Sequence, residues 1–176
     1  MNIFLKKFRG NNLKTGFTLV EILIYIATML VMLIILFSVL VLFVKISRNI
    51  KVNQNIQNSA VLVLERMTRE IHDAKSPGAS SVYTTSPGIL VLNTVDGSNN
   101  PRTVMFSVVN GELHITENSI DLGALTLPNV SITNLIFNLI TTTNSKAIKI
   151  QFTLSSNNGS FVKTENFYTT AILRSP

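Results

Sequence analysis

From Ile22 through Val44 the chain runs for 23 consecutive residues without a charged side chain. As an α-helix rising 1.5 Å per residue the run spans roughly 35 Å, enough to cross the hydrocarbon core of a bilayer. A secretory signal peptide would have a shorter apolar core, about 7–15 residues, with a small-residue cleavage site after it. Here Lys45, Ile46 and Ser47 follow Val44 instead. The segment 17–44 therefore reads as a transmembrane helix, and what remains of 176 residues is enough for a single globular head.

Composition must be read with this segment in mind. The hydrophobic fraction of 46% is ordinary, and the positive mean hydropathy comes from its concentration near the N-terminus. A formal charge of +6 suggests an acidic partner until the positions are checked. Lys6, Lys7, Arg9 and Lys14 lie in the first sixteen residues, and a chain beginning at Phe17 would carry only +2. No nucleic-acid partner is expected on that balance. Cysteine is absent, so no disulfide, thiolate nucleophile or cysteine metal site is available.

Glu21 is the anomaly, a carboxylate at the edge of the apolar run, four residues after Phe17 and with only Thr18 as a polar neighbour. A charge at depth costs about 2.5–3.5 kcal/mol on insertion scales, so such groups have partners or sit at headgroup level in contact with water. Both readings are open from position alone.

The string Gly16-Phe17-Thr18-Leu19-Val20-Glu21, following a basic, polar leader that ends in Lys14 and Thr15, resembles the processing site of type IV prepilins and pseudopilins. The resemblance implies a leader over 1–16 removed by a prepilin peptidase/N-methyltransferase that cuts between Gly16 and Phe17 and methylates Phe17. It also implies a charge pair between Glu21 and the new Phe17 amine of a neighbouring subunit, setting register during assembly. Within one helix Phe17 and Glu21 are i, i+4 neighbours. The basic leader should stay cytoplasmic. Lys45, Arg48 and Lys51 flank the other side, so orientation rests on the processing site rather than on charge.

No Pro or Gly occurs between Phe17 and Ser76, which predicts one continuous helix whose second part, 45–76, is amphipathic. Ile56, Ala60, Val63 or Leu64, Met67, Ile71 and Ala74 form an apolar stripe, with Glu65, Arg66, Arg69, Glu70 and Asp73 mostly opposite. Glu65/Arg69, Arg66/Glu70 and Arg69/Asp73 are i, i+4 pairs, and Ser76-Pro77-Gly78 is the expected stop. The membrane part lacks the bending proline that major pilins often carry.

Residues 77–176 shift to Ser, Thr, Asn, Val and Ile, a β-rich composition. Strands are predicted over Ile89–Val95, Arg102–Val109, Glu112–Thr116, Ser131–Ile140, Lys146–Leu154 and Phe161–Leu173. Asn110-Gly111 marks a tight hairpin, and Ile148, Ile150, Phe152 and Leu154 alternate with polar residues as one buried face. The expected fold is α+β: a long N-terminal transmembrane and amphipathic helix packed on a C-terminal antiparallel β-sheet head, pilin-like.

Within that family the stretches Leu64–Ile71, Pro128-Asn129-Val130 leading into Leu135-Ile136-Phe137, and Ala171–Arg174 resemble the minor pseudopilin J and minor pilin W group. Implied partners are other pilin or pseudopilin subunits, the prepilin peptidase, and inner-membrane lipids. His72 and His114 lack ligand-spaced neighbours, so metal and cofactor are both expected to be none. Asp96, Ser98 and Asn100 alternate like the start of a calcium loop, but Ser107 stands where the closing Glu belongs, and an ordinary turn is expected. No nucleophile elbow or phosphate-binding loop is present, and a structural role in a type II secretion pseudopilus or type IV pilus is expected. The alternatives are a DNA-uptake pilus component, or a single-span membrane protein with a β-rich ligand-binding head.

Overall fold

The computed structural model describes residues 16–143, 145–159 and 161–174. One helix, α1 (Leu19–Asp73), precedes strands β1 (Ser76–Pro77), β2 (Leu90–Val95), β3 (Pro101–Val109), β4 (Glu112–Glu117), β5 (Ile120–Ala124), β6 (Val130–Thr141), β7 (Lys146–Asn158) and β8 (Phe161–Ile172). The chain divides into two compact units between Val44 and Lys45. Apart from Gly16, the anticipated leader lies outside the described residues.

In the first unit every residue of the 22–44 run is exposed, and α1 is the one described helix long and apolar enough to cross a membrane. Its few hydroxyls turn back onto the helix: Thr28 donates to the Tyr25 carbonyl and Ser38 to the Ile34 carbonyl, each at 2.9 Å. Such back-bonding satisfies polar groups that apolar surroundings would otherwise leave unpaired.

In the second unit, α1 packs on antiparallel sheets, giving the expected α+β architecture. The order is β1-β2-β3-β4-β5 in one sheet and β6-β7-β8 in the other. Ile56, Ala60, Val63, Met67 and Ile71 are buried, as the stripe predicts, and Val52 extends it by a turn. They meet Leu90, Leu92, Val104 and Phe106 from the first sheet and Leu135, Phe137, Ile148, Ile150, Phe152 and Leu154 from the second. The segment between β1 and β2 links the sheets: Val82 bridges Ile89, while the Thr84 and Gly88 N–H groups donate to the β6 carbonyls of Phe137 and Leu135. A Cβ on Gly88 would stand 3.0 Å from Phe137 Cδ2 and 3.2 Å from the Leu135 carbonyl oxygen, so the close approach of the two backbones leaves a side chain there little room.

Several boundaries differ from expectation. The helix ends at Asp73 rather than at Ser76, because the chain peels into the sheet edge: Lys75 N–H donates to the Asn93 carbonyl and Ser76-Pro77 pair with Asn93 and Leu92. The freed helix carbonyls are satisfied by other groups, that of Asp73 by the Thr94 hydroxyl and that of His72 by the Arg174 N–H. β7 extends four residues past Leu154 through Ser-Ser-Asn-Asn, whose turn-like composition is overridden by a full ladder to Phe161–Thr164. β5 was not anticipated; it follows a tight turn in which Asn118 and Ser119 both take positive φ (47° and 71°). Asn110 and Gly111 do the same at 52° and 82°, as the predicted hairpin requires.

Candidate functional site at the start of the helix

Gly16, Phe17 and Thr18 precede α1 outside regular structure, and all three are exposed. A Cβ built on Gly16 meets nothing within 4 Å among the described residues, so no described side chain crowds that position. Thr18 begins the helix: its hydroxyl accepts from Glu21 N–H at 3.3 Å, and its carbonyl accepts from Glu21 and Ile22 N–H at 3.1 and 3.2 Å. Thr18 and Glu21 thus stand at the N-cap and third helical positions of the Thr-x-x-Glu signature. That signature was legible in the string but is masked by its resemblance to a processing site. A carboxylate in the first turn also complements the positive end of the helix dipole.

Glu21 is the least exposed residue between Gly16 and Ile46. The Tyr25 hydroxyl donates to its Oε1 at 3.3 Å, and the rings of Phe17 and Tyr25 meet edge to face with centroids 6.3 Å apart. Phe17, Glu21 and Tyr25 therefore form one i, i+4, i+8 ridge. The structure adds Tyr25, which sequence reasoning missed although its spacing from Glu21 is the ordinary helical one.

The head carries a second set of ionisable groups. Glu70, expected on the solvent side, is 3% exposed. Its Oε1 meets Arg66 at 2.9 Å and its Oε2 meets Arg102 of β3, which also reaches Glu117 of β4 at 3.3 Å. Two guanidinium groups compensate one buried carboxylate, and the cluster ties α1 to the first sheet. Arg69 pairs with Glu65 at 2.6 Å, and no Arg69–Asp73 pair forms among the described residues.

His114 has carboxylate neighbours that the sequence hid. Because β5 folds back on β4, Asp121 Oδ2 lies 2.8 Å from Nδ1, while Glu112 Oε2 lies 3.8 Å from Nε2. The Gly123 N–H and His114 hold the Asp121 carboxyl below the usual carboxylate range. His72 is exposed, 3.9 Å from Asp73. Among the described residues no group of three or more His, Cys, Asp or Glu side chains is placed to hold a metal ion.

The 96–100 loop is a turn built on Asp96. Its Oδ1 accepts from the N–H groups of Ser98 and Asn100 at 2.9 and 2.8 Å, and its Oδ2 from the Asn100 side chain at 3.0 Å. Those bonds, the Asn100 side chain first, hold its carboxyl below the usual range. Three local donors thus engage the exposed Asp96 carboxylate and set the shape of the turn.

No family model matches the chain, and neither a curated protein nor a solved structure is significantly similar to it.

Proposed function

We propose that this chain is a type IV prepilin-like structural subunit, cut between Gly16 and Phe17, methylated on Phe17, and rooted in the inner membrane by α1. In this reading the leader is cytoplasmic, the head lies outside the cytoplasm, and the protein is a minor pseudopilin or minor pilin that helps initiate or cap a filament. Its partners are other subunits, the prepilin peptidase and membrane lipids. One observation carries the proposal: an exposed, unstructured Gly16-Phe17 junction stands directly before a capped apolar helix whose first turn holds Glu21. A protease at the membrane surface needs an extended, accessible backbone, and Gly16 supplies one with no side chain in the way.

Cleavage converts the Phe17 nitrogen into an amine, and a carboxylate four residues away, at the edge of a run that is uncharged from Ile22 to Val44, is its natural counter-ion. In a bundle of such helices the low dielectric strengthens the pairing between subunits. Glu21→Gln should insert and be cut normally yet co-purify poorly with the other subunits, and Glu21→Asp should fall between. Normal incorporation of Glu21→Gln would remove the charge pair from the account.

A further inference from the structure

A polar cleft lies in the head unit between α1 and the end of the β6–β7 pair. It measures about 360 Å³ and is lined by Lys51, Asn55, Asn129, Ser156, Asn157 and Asn158. Three features distinguish it from an ordinary surface dent. Among the described residues no carboxylate lines it, and Lys51 supplies the only formal charge. Lys51 has no ion-pair partner among the described residues, nor do Lys45 and Arg48, which precede it by six and three positions on the same helix. The hydroxyl of Ser156, a residue only 1% exposed, has no hydrogen-bond partner among the described residues, which is a cost that a correctly placed acceptor would remove.

We propose that this cleft binds a phosphate ester. A phosphate needs positive charge and several N–H or O–H donors around its oxygens; Lys51 supplies the first, and the four asparagine amides and Ser156 supply the second. Two sources offer such a group: the headgroup of an anionic lipid, or a soluble phosphate ester. Position favours the lipid. Lys51 follows Val44, the last residue of the uncharged run, by only seven positions, so chain length alone keeps it within about 25 Å of the end of that run. Basic residues just beyond a membrane segment attract anionic headgroups. The lipid source rests on the membrane-rooted reading above, whereas the cleft chemistry does not.

The test uses the full-length chain with its asparagine side-chain amides followed by NMR. One sample is in non-ionic detergent and is titrated with glycerol 3-phosphate; two others are in phosphatidylglycerol and phosphatidylcholine nanodiscs. Saturable shifts confined to Asn55, Asn129, Asn157 and Asn158 are expected in phosphatidylglycerol discs and not in phosphatidylcholine discs. Lys51→Gln should weaken them about tenfold or more, the worth of one charge-assisted contact, and Ser156→Ala should weaken them less. Lys51 is exposed, so its substitution leaves the fold intact. Shifts with glycerol 3-phosphate but not with phosphatidylglycerol would keep the site and replace the lipid by a soluble ester. That arm also stands if the chain fails to insert in discs, which would count against the membrane reading alone. Absence of shifts from both sources, or shifts of unchanged strength in Lys51→Gln, would overturn the proposal.

Discussion

Arg102 reaches Glu70 from the neighbouring sheet, and the consequence of removing either partner is unequal. Glu70 has a side chain only 4% exposed and depends on two guanidinium groups, so Arg102→Ala leaves a buried carboxylate with Arg66 alone and its Oε2 unpaired. Loss of about 3–5 kcal/mol of head stability is expected from urea unfolding, as for other broken buried pairs. Arg102→Ala with Glu70→Gln should recover part of it, because the amide no longer carries a charge; equal loss in the single and double variants would contradict this account of the cluster. Asp96 makes a prediction about pH. Its carboxyl is held below the usual range in the folded chain by Asn100 and Ser98, so it adds stability above its unfolded pKa, near 3.8, and that stability is lost as pH falls through the lower folded value. Asp96→Asn should therefore unfold with a shallower acid dependence than the parent below about pH 4, with little difference in slope near neutrality.

At the scale of elements, the periodic parts were legible and the irregular ones were not. The stripe from Ile56 to Ala74 was visible because a three-to-four spacing of apolar residues has one structural meaning; all six of its positions, with Val63 rather than Leu64 at the alternative one, are buried. Glu70 escaped because a charge beside two arginines reads as a solvated face until β3 brings Arg102 across. β5 escaped because Ile120-Asp121-Leu122-Gly123-Ala124 is only five residues long and holds Asp, Gly and Ala, all depleted in strands; it is an exposed edge, held by β4 and by the His114–Asp121 contact. The end of β7 escaped because Ser and Asn favour turns locally, and pairing with β8, joined at Ser155 and Ser156 by β6, extends it. At the start of the helix, Gly16, Phe17 and Glu21 were all read from the sequence, whereas Tyr25 was not, since a tyrosine in an apolar helix looks like any other apolar residue until its hydroxyl has a partner.

These elements make the head self-sufficient, since the apolar stripe of α1 is covered by the head's own sheets. The fragment from Ile46 to the C-terminus should be soluble, folded and mostly β by circular dichroism, and monomeric. Within it, Ile56→Ala should cost about 2–5 kcal/mol, because Ile56 is fully buried. An aggregated or unfolded fragment would show that the head depends on residues before Ile46.

For the whole molecule, the central claim is that the apolar helix becomes the N-terminus of the working protein. The uncovered surface of residues 22–44 needs apolar surroundings, and a bilayer followed by a helical filament core would supply them in turn. Everything specific to that reading turns on the bond between Gly16 and Phe17. Intact-mass measurement, with sequencing of the N-terminal peptide, on protein taken from its native cells tests it most directly. Removal of 16 of the 176 residues should leave a chain of 160 residues that begins with Phe17 and carries one methyl group on its amine. Recovery of only the uncut, unmethylated chain, from cells whose prepilin peptidase is active, would contradict it.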